Sequence, residues 1–216
     1  MKKYVMEMVN KGGYTIVELL VAIAISGVFL TAIYSAYFSQ QRATLAQEQV
    51  SAMQRNLRSA MYFMEKEIRM AGCDPTGRTN AGIIQANKNL MQFTGDIDGD
   101  GTNEDITYSI SGADLERSDA RIAENIDAIN FVYLDRDGTR LDDDTNGNVI
   151  YDDSKAEIRS VQVTVVARTG KEDPNYSDST VYKNKIDETV FTPTGSGVHF
   201  RRKILRTNIK CRNLGL

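Results

Sequence analysis

Leu19 to Phe38 is a run of 20 residues without a single charge. At ~1.5 Å rise per residue, such a run covers the ~30 Å hydrocarbon core of a bilayer. Directly before it stands Lys11-Gly12-Gly13-Tyr14-Thr15-Ile16-Val17-Glu18. A carboxylate in or near the membrane costs ~2.5–3.5 kcal/mol at a helix centre and less near the interface. Glu18 therefore needs a partner or a task. No proline occurs between Met1 and Asp74, so helix need not stop where the apolar run ends. Val50, Met53, Leu57, Met61, Met64 and Ile68 recur at spacings of three and four, which makes one apolar stripe. Gln47, Gln54, Arg55, Arg58, Glu65 and Lys66 fill the opposite face. Gly72 and Pro75 form a stop signal. The pattern predicts one helix from about Tyr14 to about Ala71, with Gly27 as its only interior glycine.

The leader residues carry a resemblance. A short basic segment ending in glycine, an aromatic residue, Thr15, two aliphatics, Glu18 and an apolar helix resemble the class III signal of type IV pilins and type II secretion pseudopilins. The resemblance implies cleavage by a membrane peptidase between Gly13 and Tyr14, then N-methylation of Tyr14. It puts Glu18 at the fifth mature position, where its carboxylate is expected to meet the N-terminal amine of a neighbouring subunit during assembly. The alternative is an ordinary single-pass anchor in which Glu18 only favours the first helical turn. Lys2, Lys3 and Lys11 against one acid, Glu7, favour a cytoplasmic leader by the positive-inside rule. The expected location is the inner membrane with a periplasmic domain, then the pilus or pseudopilus filament. The implied partners are other major and minor pilins and the peptidase/methyltransferase.

After Pro75 the period changes. A short strand is expected around Ile83 and Ile84. Ile106 to Ile110 alternates, and Leu115-Glu116-Arg117 is placed to pair with it across Ser111–Asp114. Further strands are expected through Ile129, Phe131 and Tyr133, from about Glu157 to Ala167, and from Arg201 to Lys210. Residues 171–199 read as a long loop. The fold class is α+β: a long N-terminal helix, its first half transmembrane, packed on an antiparallel β-sheet as in pilins. The expected division is a leader over 1–13, a transmembrane half-helix over 14–38, a periplasmic half-helix over 39–72 and a β-rich domain over 73–216. Glu67-Ile68-Arg69-Met70-Ala71-Gly72, Phe93-Thr94-Gly95-Asp96, Ile106-Thr107-Tyr108 and Arg212-Asn213-Leu214 resemble stretches of PilW-type minor pilins. The J-type minor pseudopilin of type II secretion is the competing subtype.

A formal charge of −3 over 216 residues argues against nucleic acid as the main partner. The single histidine, His199, has no nucleophile or carboxylate at motif spacing. It reads as a strand-edge residue, and the chain reads as a non-enzyme. Two function classes remain: an assembly subunit at a priming or tip complex, or a pilus-borne adhesin or binding module. Cys73 and Cys211, the only cysteines, are expected to pair in an extracytoplasmic domain, contributing ~2–4 kcal/mol; two reduced thiols are the alternative. Two acidic loops follow the EF-type pattern for calcium. Residues 142–153 offer Asp142, Asp144, Asn146, the carbonyl of Asn148, and Asp153 in the closing position. Asp96, Asp98 and Asp100 begin a second loop, to be completed by Glu104 or Asp105. The alternative for both is a solvated turn. No other cofactor is expected.

Overall fold

The computed structural model describes residues 12–77, 81–141 and 155–214. The chain divides into two compact units, Met1–Ala46 and Gln47–Leu216. Helix α1, Ile16–Met70, contributes to both. In the first unit its apolar side chains are exposed. Its mean hydropathy reaches 2.5 with none of that window buried, so it is long and apolar enough to cross a membrane. Thr31 donates its hydroxyl to the Gly27 carbonyl at 2.9 Å, giving that carbonyl a second partner beside the weakest helix former in the run.

In the second unit the apolar stripe becomes core. Met53, Leu57, Met61, Met64 and Ile68 are buried, with Val50 packed at their edge. Burying each such side chain fully contributes ~1.5–3 kcal/mol. The unit has three antiparallel sheets, of which the first two pack on this stripe. The first is a meander of β1 (Ile83–Ala86), β2 (Met91–Gly95), β3 (Glu104–Ser111), β4 (Asp114–Arg117) and β5 (Ala120–Ala123). In the second, β7 (Ser160–Arg168) lies between β6 (Ile126–Leu134) and β10 (Arg202–Lys210). The third is a hairpin of β8 (Tyr182–Lys183) and β9 (Thr189–Phe191). Phe93, Ile106, Tyr108, Leu115, Phe131, Val161, Val163, Val165 and Ile209 join the helix stripe in one cluster.

Two expectations need correction. The stretch over 171–199 is not a plain loop: it holds β8, β9 and a 3₁₀ turn, Gly195–His199. It is tied to the outer face of the second sheet. Asn184 donates to Asn130 (3.1 Å), and Arg202 ion-pairs with Asp178 (3.2 Å). Residues 129–134 of β6 are consequently buried on both faces rather than alternating. His199 lies in the 3₁₀ turn, not on a strand, and its Nδ1 is 2.8 Å from the Tyr176 carbonyl.

Candidate processing and assembly site

Gly12, Gly13, Tyr14 and Thr15 are exposed and precede the helix. A Cβ built on Gly12 or Gly13 meets nothing within 4 Å. The backbone at the expected scissile bond is therefore open. Helix α1 starts on a reciprocal cap. Thr15 accepts the first helical bond, from the Leu19 amide at 3.1 Å. Glu18 Oε2 accepts from the Thr15 amide (2.8 Å) and hydroxyl (2.9 Å), and the Glu18 amide donates to Thr15 Oγ1 (3.2 Å). This is a capping box, satisfying two amides that a helix start otherwise leaves unpaired. Thr15 was not singled out in the sequence, although the Thr-x-x-Glu spacing signals it. The cap uses only Oε2, so Oε1 of Glu18 has no partner among the described residues.

The four motif stretches of the globular unit converge on the end of α1. Glu67, at 8% exposure, accepts from the Tyr108 hydroxyl (2.5 Å) and from Arg117 Nε (2.8 and 3.0 Å). Burial, then the Glu67 carboxylate, holds the Tyr108 phenol far above its ordinary value. The carbonyl of Arg69 takes the Arg212 amide at 3.3 Å. Gly72 ends the helix at φ +79, donates to the Thr94 carbonyl (2.9 Å), and leaves room for Leu214, which a Cβ would meet at 2.6 Å. A Cβ on Gly95 would lie 2.7 Å from the Met70 carbonyl. Glycine at both positions lets β2 and the C-terminal turn close directly onto the helix end.

The expected Cys73–Cys211 disulfide is not formed in this structure: both are free thiols, Cys73 half-buried and Cys211 buried. Burial pushes the Cys211 thiol up to about 12. The Arg212–Arg69 backbone bond and the Leu214–Gly72 contact already pin the last strand to the helix end.

Of the two acidic loops, that of Asp142, Asp144, Asn146, Asn148 and Asp153 lies outside the described residues. In the other, Asp96, Asp98 and Glu104 bring carboxylate oxygens within 4.8 Å of one another, a spacing that suits a hard cation. Asp96 also accepts from the Gly99 (2.6 Å) and Gly101 (3.1 Å) amides, and Glu104 from the Ile97 amide (2.7 Å). Asp100 departs from the expected set: it turns to the Thr102 hydroxyl and amide, which hold its carboxyl below its ordinary value. Asp105 is bound by Gln92 Nε2 at 2.9 Å. A cleft of about 460 Å³ opens between β3, β6 and β9. Its one titratable lining residue, Asp127, is tied to Arg202 (2.6 Å) and Arg168 (3.4 Å).

A family profile described as "Prokaryotic N-terminal methylation motif" matches residues 8–34. No curated protein matches the chain. Among solved structures, the fold is similar to "Type IV-like pilin TTHA1219 from Thermus thermophilus", with a TM-score of 0.54 at 12% identity, over 74% of this chain and 97% of that one. Motif and fold point to a structural subunit rather than to an enzyme. The chain therefore carries an N-terminal methylation motif on a fold similar to that of a type IV-like pilin.

Proposed function

We propose that the chain is a minor pilin of PilW-like type, anchored in the inner membrane and then built into a pilus, where it acts in priming or at the tip. The observation that carries the reading is the N-terminal segment: an accessible Gly13–Tyr14 bond, a capped helix start, and an exposed apolar helix face with Glu18 as its first carboxylate. An apolar face of that length is covered by lipid or by other helices. Moving from one to the other exchanges neighbours without exposing apolar area to water. The free Oε1 of Glu18 is then available to the Tyr14 amine that processing creates on an adjacent subunit. Low dielectric strengthens that pair, and desolvation offsets part of the gain. The convergence of the Glu67–Gly72, Phe93–Asp96, Ile106–Tyr108 and Arg212–Leu214 stretches on one helix end supports the PilW-like subtype over a chance likeness of separate stretches.

The test is co-purification with the other prepilins of the same cell. Glu18→Ala is expected to insert and be cleaved yet to enter filaments poorly. Normal incorporation of that variant would leave Glu18 with the capping role alone. The J-type pseudopilin is distinguished by phenotype: deletion abolishes exoprotein secretion and spares pili. Loss of attachment with normal filaments would favour the adhesin. We further propose, from the EF-type spacing together with the clustered carboxylates, that Asp96, Asp98 and Glu104 form a weak calcium site stiffening the turn between β2 and β3.

A further inference from the structure

The sheets of the globular unit differ in how their edges are finished. β1 and β5 are four residues long, and each pairs with its neighbour through an irregular register. The outer edge of β6 is partly closed: Phe131 donates its amide to the Lys88 carbonyl, and Leu134 bridges Arg140. Short strands, bulges and covering loops are the usual ways to stop a sheet from recruiting further strands. β10 has none of these. It runs nine residues, Arg202–Lys210, in unbroken register with β7. Among the described residues no second strand flanks it and no backbone bond closes its other side.

What β10 carries instead is charge of one sign. Its sequence, RKILRTNIK, has four cations and no acid. Arg202 is internal, its side chain 1% exposed and paired with Asp127 and Asp178. The other three, Lys203, Arg206 and Lys210, are exposed, and among the described residues none has a carboxylate within 4.0 Å. Asn208, also exposed, stands between Arg206 and Lys210 on one face. Elsewhere in the unit Arg69, Arg117, Arg121, Arg140, Arg168 and Arg201 are ion-paired, while Arg55, Arg58, Arg136, Arg159 and Arg212 have no carboxylate within 4.0 Å among the described residues but are not lined up along a free sheet edge. A chain of net charge −3 thus leaves unneutralised cations along its one long, regular sheet edge among the described residues.

We propose that β10 is a docking edge that takes up an extended acidic segment of another protein as an added strand. The backbone edge supplies the hydrogen-bonding ladder, and the cations supply selectivity. A second copy is rejected, because two β10 strands laid side by side set lysine and arginine against each other across the pair, where like charges destabilise. An acidic strand places its carboxylates opposite Arg206 and Lys210 on one face and Lys203 on the other. The same charges that keep the edge from pairing indiscriminately thus select the partner.

The test uses the full-length chain in detergent micelles and a fluorescent nine-residue peptide, Ac-EVTVEVTET-NH2, whose first and fifth residues oppose Lys210 and Arg206 on one face and whose eighth opposes Lys203 on the other. Three probes are compared: this peptide, the same peptide N-methylated at alternate backbone nitrogens, and a nine-nucleotide single strand of DNA. The proposal expects saturable binding of the first, at least tenfold weaker binding of the methylated form, and slowed hydrogen exchange within β10 on binding. Lys203→Glu/Arg206→Glu/Lys210→Glu is expected to weaken binding at least tenfold. The triple glutamine variant, checked for unchanged thermal unfolding, should fall between. No binding at millimolar peptide would overturn the proposal. So would equal affinity for the methylated peptide, which would reduce the contact to charge alone. Competition by DNA at equal affinity would overturn it in favour of a polyanion surface.

Discussion

Glu67 is the charge on which the end of α1 rests, and its replacement tests how the helix is joined to the sheet. Its carboxylate is 10% exposed as a side chain, against 33% for Arg117, so solvent reaches the cation more than the anion. Tyr108→Phe removes the 2.5 Å hydroxyl contact with almost no change in volume. A hydrogen bond to a charged group contributes ~1.5–3 kcal/mol, so this variant should lose about 2 kcal/mol. Glu67→Leu removes the anion, leaves the buried Tyr108 hydroxyl unpaired and strands a partly solvated Arg117. Breaking a buried pair from one side costs ~3–5 kcal/mol, and solvent access to Arg117 puts the expectation at the lower end, ~3 kcal/mol. In Glu67→Leu/Tyr108→Phe the second change no longer orphans anything. The double variant should therefore be less destabilised than the sum by ~1–3 kcal/mol. Urea unfolding of the full chain in micelles, followed by tyrosine near-UV signal with unchanged m, supplies the four free energies. Strict additivity, or a Tyr108→Phe loss under ~0.5 kcal/mol, would refute the network.

Gly95→Ala should destabilise the chain by ~1–3 kcal/mol, because its Cβ meets the Met70 carbonyl at 2.7 Å and backbone must move to admit it; an unchanged melting temperature would show that β2 does not approach the helix end so closely. Acid should loosen residues 171–200 before the core. Burial opposes ionisation of Asp178 and Glu188, but Thr180, Tyr182 and Arg202 hold Asp178 below its ordinary value, and Arg140 and Asn184 do the same for Glu188. Carboxylates depressed in the folded state stabilise it above their unfolded values of ~3.9 and ~4.3, and that contribution is lost as pH falls through the lower folded values. Hydrogen-exchange protection at Tyr182–Phe191 should drop below about pH 4 ahead of β7; equal loss in both would contradict the assignment. Calcium at 10 mM, against a Kd of ~1 mM, should stabilise the chain by ~1.4 kcal/mol. Asp98→Asn with Glu104→Gln should reduce that gain, and an undiminished shift would place the ion elsewhere.

The helix and its stripe were legible because spacing alone determines which side chains share a face. Met53, Leu57, Met61, Met64 and Ile68 are buried as the period requires. β3, β4, β7 and β10 were legible from alternation and from the turn at Gly112, φ +64. β5 was not. Its two-residue hairpin turn uses Ser118 and Asp119, both at positive φ, where Asn-Gly is the familiar signal. The strain is offset by Ser118, whose hydroxyl and amide bond Thr107 and Asp105 on β3. β8 and β9 were missed because two- and three-residue strands leave no period to read. At the site, Gly13, Tyr14 and Glu18 were legible as a motif and Thr15 only as a spacing. The Glu67–Tyr108–Arg117 cluster joins positions 41 and 50 residues apart and has no local signal.

Intact-mass and N-terminal peptide analysis of the chain, isolated from a cell that assembles it, tests the central claim most directly. A processed N-terminal methylation motif predicts a mature chain that begins at Tyr14, lacks residues 1–13, and carries one methyl group on the Tyr14 nitrogen. A chain that keeps Lys2, Lys3 and Lys11, or that begins beyond the apolar run of α1, would contradict it.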